Sequence, residues 1–193
     1  MNRFLFLLVY IAGLGFSTRA AEMPNPSVVD LAGIEHHPLS PGTCAASVLI
    51  FYAYDCPICN GYAPEINRIY ATYTNIAFYI VQVDPDLKAD AAREHARQFS
   101  LKPPVLLDPR HRLVKFAGAT ITPEAVVFGP ERRVLYRGRI DDRYPALGKK
   151  RAHVSRHDLF DVLKELVRGE PVSPRETAAM GCVIESPPET KSH

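Results

Sequence analysis

Hydrophobic positions along this chain fall into short continuous runs alternating with stripes at helical spacing. Ser47-Val48-Leu49-Ile50-Phe51-Tyr52 is an unbroken β-prone run of the kind buried on both faces of a sheet. From 60 to 73 the apolar residues Tyr62, Ile66, Ile69, Tyr70 and Tyr73 recur every three or four positions, which predicts a helix. Pro64 is expected to kink that helix or to end its first turn. Residues 76 to 83 form a second buried strand, and 86 to 99 a second helix, with Asp86 suited to its first turn. Val105-Leu106-Leu107 reads as a short extended arm and 110 to 116 as a short helix. Ala125-Val126-Val127-Phe128 is the next strand, Gly129-Pro130-Glu131-Arg132 a turn, and 133 to 140 the returning strand. Ser155-Arg156-His157-Asp158 resembles a capping box before the stripe Leu159, Val162, Leu163, Leu166 and Val167, and Gly169 is placed to end that helix.

The order β-α-β-α, arm and short helix, then β-β-α predicts one α/β domain. Strands joined through helices pair in parallel and the final hairpin antiparallel, which gives a mixed central sheet with helices on both faces. The expected domain spans 47–169. Residues 22–46, rich in Pro, Ser and Gly, read as an N-terminal extension with one short hairpin, and 170–193 as a Pro-rich tail.

The first twenty residues stand apart. Met1-Asn2-Arg3, the apolar run from Phe4 to Phe16 and the small residues around Ala20 have the layout of a secretory signal peptide over 1–20. The run is shorter than the ~20 apolar residues a spanning helix needs, so no membrane span is expected after cleavage. Export to a periplasmic or extracellular setting follows. Cleavage would remove Arg3 and Arg19, bringing Lys plus Arg from 23 down to 21 and level with the 21 acids. A formally neutral chain offers no basic field for nucleic acid.

Export also lets the four cysteines form disulfides. Cys56-Pro57-Ile58-Cys59 lies between the first strand and the first helix. Cys56 at a helix N-terminus meets unpaired N–H groups and the positive end of the dipole, both of which favour thiolate, the attacking species in disulfide exchange. Cys59, one turn later on the same face, can resolve the mixed disulfide. Pro57 suits the first helical position because its missing N–H would have no partner there. Two other uses of such a pair are half of a zinc site and a structural bridge. Zinc needs two more ligands, and Cys44 and Cys182 are isolated. A bridge closing so small a loop adds little stability.

From Val29 through the last helix the chain resembles the redoxin branch of the thioredoxin superfamily, which includes exported thioredoxin-like reductases and, more distantly, peroxiredoxins. The matching pieces are Asp55 to Asn60, Tyr62 to Glu65, Val105 to Pro109, Thr122 to Ala125, and Tyr136-Arg137-Gly138-Arg139-Ile140-Asp141-Asp142-Arg143-Tyr144. The resemblance implies a three-layer α/β/α sandwich and thiol-disulfide exchange at Cys56 and Cys59 without a cofactor. It implies protein disulfides as substrates, a thiol electron donor and antioxidant activity. It also implies a cis Thr122-Pro123 bond against the dithiol, with Thr122 and Pro123 forming a substrate groove.

Several positions depart from the pattern. Ile50 stands where founding thioredoxins carry a buried acid; Glu124 or Glu65 could accept the Cys59 proton, though each reads more naturally as a surface carboxylate. Asp55 would oppose a Cys56 thiolate if it lay close. A thiol peroxidase is one alternative function, but Ala53 and Leu49 occupy the positions of the peroxiredoxin threonine and proline. A copper chaperone with His111 or His153 as third ligand is another, against which stands the two-residue cysteine spacing. Cys182 has three readings. Topology suggests a structural staple with Cys44, and a free tail thiol is also open. Some redoxins that the chain resembles carry a Gly-Cys near the end, like Gly181-Cys182, which implies a resolving partner for Cys56.

Overall fold

The structure is a computed structural model and describes residues 26–185. The signal-peptide reading of 1–20 lies outside the described residues. In chain order the elements are β1 (Val28–Val29), β2 (Glu35–His36), β3 (Ser47–Tyr52), α1 (Pro57–Thr72), β4 (Ala77–Gln82), α2 (Ala89–Gln98) and β5 (Val105–Leu107). There follow α3 (Arg112–Ala117), β6 (Ile121–Thr122), β7 (Glu124–Phe128), β8 (Val134–Gly138), α4 (Asp158–Val167) and β9 (Cys182–Val183).

The central sheet has five strands in the order β5-β4-β3-β7-β8. β3 runs parallel to β4, in register from Ser47 opposite Ala77 to Tyr52 opposite Gln82, and antiparallel to β7. β4 and β5 are parallel, and β7 and β8 antiparallel. All six residues of β3 are buried. Because successive side chains point to opposite faces, both faces of this strand are covered, as a three-layer α/β arrangement requires. β1 and β2 form the small hairpin expected before the domain.

Local chemistry moved several boundaries. α1 begins at Pro57 and continues through Pro64 to Thr72 instead of ending in its first turn. Pro64 is exposed, so water can serve the carbonyl left without an N–H partner. α2 starts at Ala89, past Asp86, with Lys88 at its N-cap and Asp90 in its first turn. α3 starts at Arg112 because the Asp108 carboxylate accepts from Arg112 N (2.8 Å) and Val114 N (2.9 Å), capping amides that the helix cannot satisfy. The capping box before α4 does not form. Ser155 Oγ donates to Asp142 Oδ2 at 2.5 Å, and His157 at the N-cap makes no side-chain capping bond. The other end is as expected: Gly169, at φ 70°, donates to Leu166 O (3.0 Å), and Glu170 to Glu165 O (2.9 Å).

After α4 the chain folds back over the end of β8. Arg137 N donates to Arg175 O and Thr177 N to Arg137 O, both at 3.0 Å. Thr177 Oγ1 lies 2.6 Å from Tyr136 Oη and accepts from Arg139 N at 3.1 Å. A Cβ on Gly138 would stand 2.2 Å from Thr177 Oγ1 and 2.4 Å from Thr177 O, so glycine is what lets the tail approach. The tail then reaches β6, where β9 pairs antiparallel with it.

Candidate active site

β3 ends at Tyr52, and a short loop delivers Cys56 to the N-cap of α1 in extended conformation (φ −79°, ψ 114°). The thiol of Cys56 is lowered from 9.0 to about 5. The largest cause is a hydrogen bond from the Cys59 thiol. Burial opposes it, and the Cys182 thiol and the backbone N–H groups of Cys59 and Ile58 add further donors. Cys59 is fully buried, and burial first, then its bond to Cys56, pushes its thiol well above 9.0. Cys182 is pushed up to about 12 by burial and then by its hydrogen bond to Cys56. One thiolate therefore sits between two thiol donors. Asp55 is exposed and is not among the main groups acting on Cys56, so the expected opposition to the thiolate is weak.

Cys56 itself is only 1% exposed. The returning tail covers it, with the Cys182 thiol bonded to its sulfur. The Thr122-Pro123 bond is cis. While protonated, Cys56 Sγ donates to Thr122 O at 3.6 Å, which brings the loop before β7 against the dithiol. Thr122 Oγ1 donates to Cys182 O at 3.3 Å and is also within hydrogen-bond reach of the Cys59 thiol. The hydroxyl has one proton and can serve only one of them at a time. A cleft of about 540 Å³ opens beside Cys56 and Cys182, with Asp55, Asp84, Asp86 and Glu185 on its walls.

Cys44 lies just before β3, at the end of the strand remote from the dithiol, where its neighbour Ala45 N donates to Asn75 O (3.0 Å). β3 alone spans roughly 20 Å at ~3.3 Å per residue, so the Cys44–Cys182 staple is ruled out by position. All four cysteines are free. The copper reading loses its ligands too. His111 is buried with Nε2 2.6 Å from Val83 O, and His153 is exposed. Among the described residues, the group of potential metal-ligating side chains is Glu65, Asp141 and His157, without a cysteine. Arg68 and Arg143 already supply its carboxylates with positive charge.

Neither glutamate considered as proton acceptor is an ordinary surface group. Glu124 is 7% exposed, with its pKa raised by burial, and Glu124 Oε2 accepts from Thr120 N (3.0 Å). The Glu65 side chain is 11% exposed and ion-paired to Arg68. The main influences on the Cys59 thiol after burial are Cys56, the Ala53 backbone and Thr122, with neither glutamate among them.

Two supporting networks use residues that the sequence marked only as parts of elements or family-like motifs, without indicating what they touch. Asn60 Oδ1 accepts from Tyr52 Oη and from His95 Nε2, each at 2.9 Å, while Asn60 Nδ2 donates to Tyr54 O at 3.1 Å. His95 is thus protonated on Nε2, and its Nδ1 faces Gln82 Nε2 at 3.4 Å. Asn60 thereby ties the loop before Cys56 to the first turn of α1. On the other side, Tyr62 Oη donates to Asp141 Oδ1 at 2.6 Å, and the Arg143 guanidinium lies 5.1 Å from the Tyr62 ring centroid. Arg139 pairs with Asp158 (2.7 Å), and Asp142 accepts from Ser155 N at 2.9 Å and Arg156 N at 3.2 Å. The run from Arg139 to Arg143 is therefore a clamp that fixes α1 and the start of α4; its carboxylates are occupied in structure.

The mixed sheet, the dithiol at the head of α1 and the cis-proline loop against it define a thioredoxin-like α/β protein. Residues 25–137 match the AhpC/TSA family, and the chain belongs to that family. A relative named thiol-disulfide oxidoreductase ResA, from Bacillus thuringiensis subsp. konkukian, is 26% identical over 150 residues, covering 69% of this chain and 86% of its own. An uncharacterized conserved protein of Geobacillus kaustophilus superposes with a TM-score of 0.74 at 21% identity, over 86% of this chain and 92% of that one. A hypothetical protein of Sinorhizobium meliloti 1021 gives 0.69 at 21% identity, over 86% and 93%. The two structural likenesses speak to the fold.

Proposed function

We propose that the protein is an exported thiol-disulfide oxidoreductase that exchanges disulfides with protein substrates through Cys56 and Cys59. The observation that carries this reading is the geometry of the dithiol: Cys56 stands at the N-cap of α1 against the cis Thr122-Pro123 loop, with Cys59 fully buried one turn on, an arrangement that lowers the Cys56 thiol and raises that of Cys59. At neutral pH, Cys56 attacks a substrate disulfide as thiolate and forms a mixed disulfide, releasing the substrate's other sulfur. Loss of the Cys56 charge removes one cause of the raised Cys59 pKa. Cys59 then gives up its proton, attacks Cys56 Sγ and releases the reduced substrate, leaving a Cys56–Cys59 disulfide for a thiol donor to reduce. Thr122 and Pro123 flank the reacting sulfur and Pro57 holds the helix start. The similarity to a ResA-named relative supports the activity class.

Cys182 is the candidate second partner for Cys56. Attack by its thiolate on Cys56 Sγ of the oxidised dithiol gives a Cys56–Cys182 disulfide, and the proton given up by Cys182 ends on the departing Cys59. Peroxidase chemistry gains no support from the site: Leu49 is buried inside β3, and Ala53 has no hydroxyl to hold a peroxide oxygen.

Insulin reduction tests the reading. The reduced wild type is expected to reduce insulin disulfides, Cys59→Ser to accumulate mixed disulfides, and Cys56→Ser to do neither. Turnover by Cys56→Ser at the wild-type rate refutes it.

A further inference from the structure

A nucleophile that attacks external disulfides has to be reachable, yet Cys56 is 1% exposed. Its cover is a segment of the same chain. β9 pairs antiparallel with β6, with Thr122 opposite Cys182 and Ile121 opposite Val183. Ile184 N donates to Thr120 O at 3.0 Å, and Thr122 Oγ1 to Cys182 O at 3.3 Å. The backbone edge immediately before Pro123 is thus filled by an extended peptide whose cysteine touches Cys56. The fit is selective at the preceding position, since a Cβ on Gly181 would lie 1.9 Å from Thr122 O and 2.7 Å from Thr122 C. Backbone cannot yield to such a clash, so the docked strand needs glycine there.

The paired segment is short, with Cys182 and Ile184 packed against the core. β9 is two residues long, and Val183 is 73% exposed. The tail's firmer anchorage lies upstream, at Thr177 under Tyr136 and Arg139. Displacement of the terminal strand would leave that anchor in place.

We propose that the β6 edge is a docking surface for an extended peptide in which glycine precedes a cysteine, and that residues 180–184 are its resident occupant, displaced by substrate. The proposal rests on the disulfide-exchange reading only for the identity of the incoming sulfur; the docking itself is independent of redox chemistry. The tethered strand acts at an effective concentration on the order of mM, so a free peptide competes poorly with it. Substrates would then be engaged only by molecules whose tail is open, and an apparent affinity falls by the open fraction.

The test uses the full chain, a chain truncated after Ala179, which keeps the Thr177 anchor, and full-length Gly181→Ala. The probe is a fluorescent peptide of residues 178–185 carrying Cys182→Ser. Saturable binding is expected to the truncated protein and to Gly181→Ala, and binding about tenfold weaker or worse to the full chain. The same peptide with Gly181→Val is expected not to bind. Equal binding to full and truncated chains, no binding to either opened variant, or undiminished binding of the Gly181→Val peptide overturns the proposal. None of these readouts involves disulfide exchange, so failure here and failure of insulin reduction are distinguishable.

Discussion

Replacing Cys59 with alanine removes the donor that contributes most to the Cys56 thiolate, and its effect can be worked from the site. Cys56 is lowered from 9.0 to about 5 by the Cys59 thiol first, then, against burial, by Cys182 and two backbone N–H groups. A hydrogen bond to a charged group is worth roughly 1.5–3 kcal/mol, or about one to two pH units. The Cys56 midpoint in Cys59→Ala is therefore expected at about 6–7, up from about 5 in the reduced wild type. Cys59→Ser retains an O–H donor and should move it less, and Cys182→Ala should also move it less than Cys59→Ala. The assay is the pH dependence of iodoacetamide alkylation at Cys56, quantified by mass spectrometry, with thiolate absorbance at 240 nm as a second readout. The depressed pKa also links to stability. A thiol lowered on folding contributes stability that is fully present above its unfolded value near 9.0 and lost as pH falls through about 5. Reduced wild type should accordingly lose this contribution between those limits, and Cys59→Ala should lose it at a higher pH. An unchanged midpoint in Cys59→Ala, or a larger shift in Cys182→Ala, refutes the assigned donor order.

Two further outcomes follow from the same geometry. Peptide mapping of mildly oxidised protein should recover Cys56–Cys59 and Cys56–Cys182 linkages; a Cys44–Cys182 peptide would contradict the placement of those residues at opposite ends of β3. Asp141→Ala leaves Tyr62 Oη without its carboxylate partner and should cost about 2 kcal/mol. That corresponds to roughly 4–8 °C in thermal midpoint for a chain of this size. The alkylation midpoint of Cys56 should stay in place, and a shift of a full pH unit would show that the clamp acts on the thiolate and not only on packing.

What the sequence determined by itself was local and periodic. The run from Ser47 to Tyr52 had to be a strand buried on both faces, and Cys56-Pro57 had to begin a helix, because side-chain period and backbone propensity act over a few residues. The parallel pairing of the helix-joined strands and the antiparallel final hairpin followed from the lengths of their connections, whereas the strand order, with β7 beside β3, did not. Tertiary structure decided everything that depends on which distant segments meet. Ser155 is a good capping residue in isolation, but Asp142 takes its hydroxyl. Glu124 looks like a surface carboxylate in a list of residues, and its burial is set by the packing around β7. The largest consequence lies with Cys182, which pairs across 60 residues with Thr122 and conceals Cys56. Neither Gly138 nor Gly181 carries a periodic signal; each is explained only by the backbone or side-chain atoms that come within 2–3 Å of where its Cβ would be. Close approach between remote segments is a property of the folded chain: the resemblance implied that Cys182 could meet Cys56, but the pairing of β9 with β6 that covers the sulfur needed three dimensions.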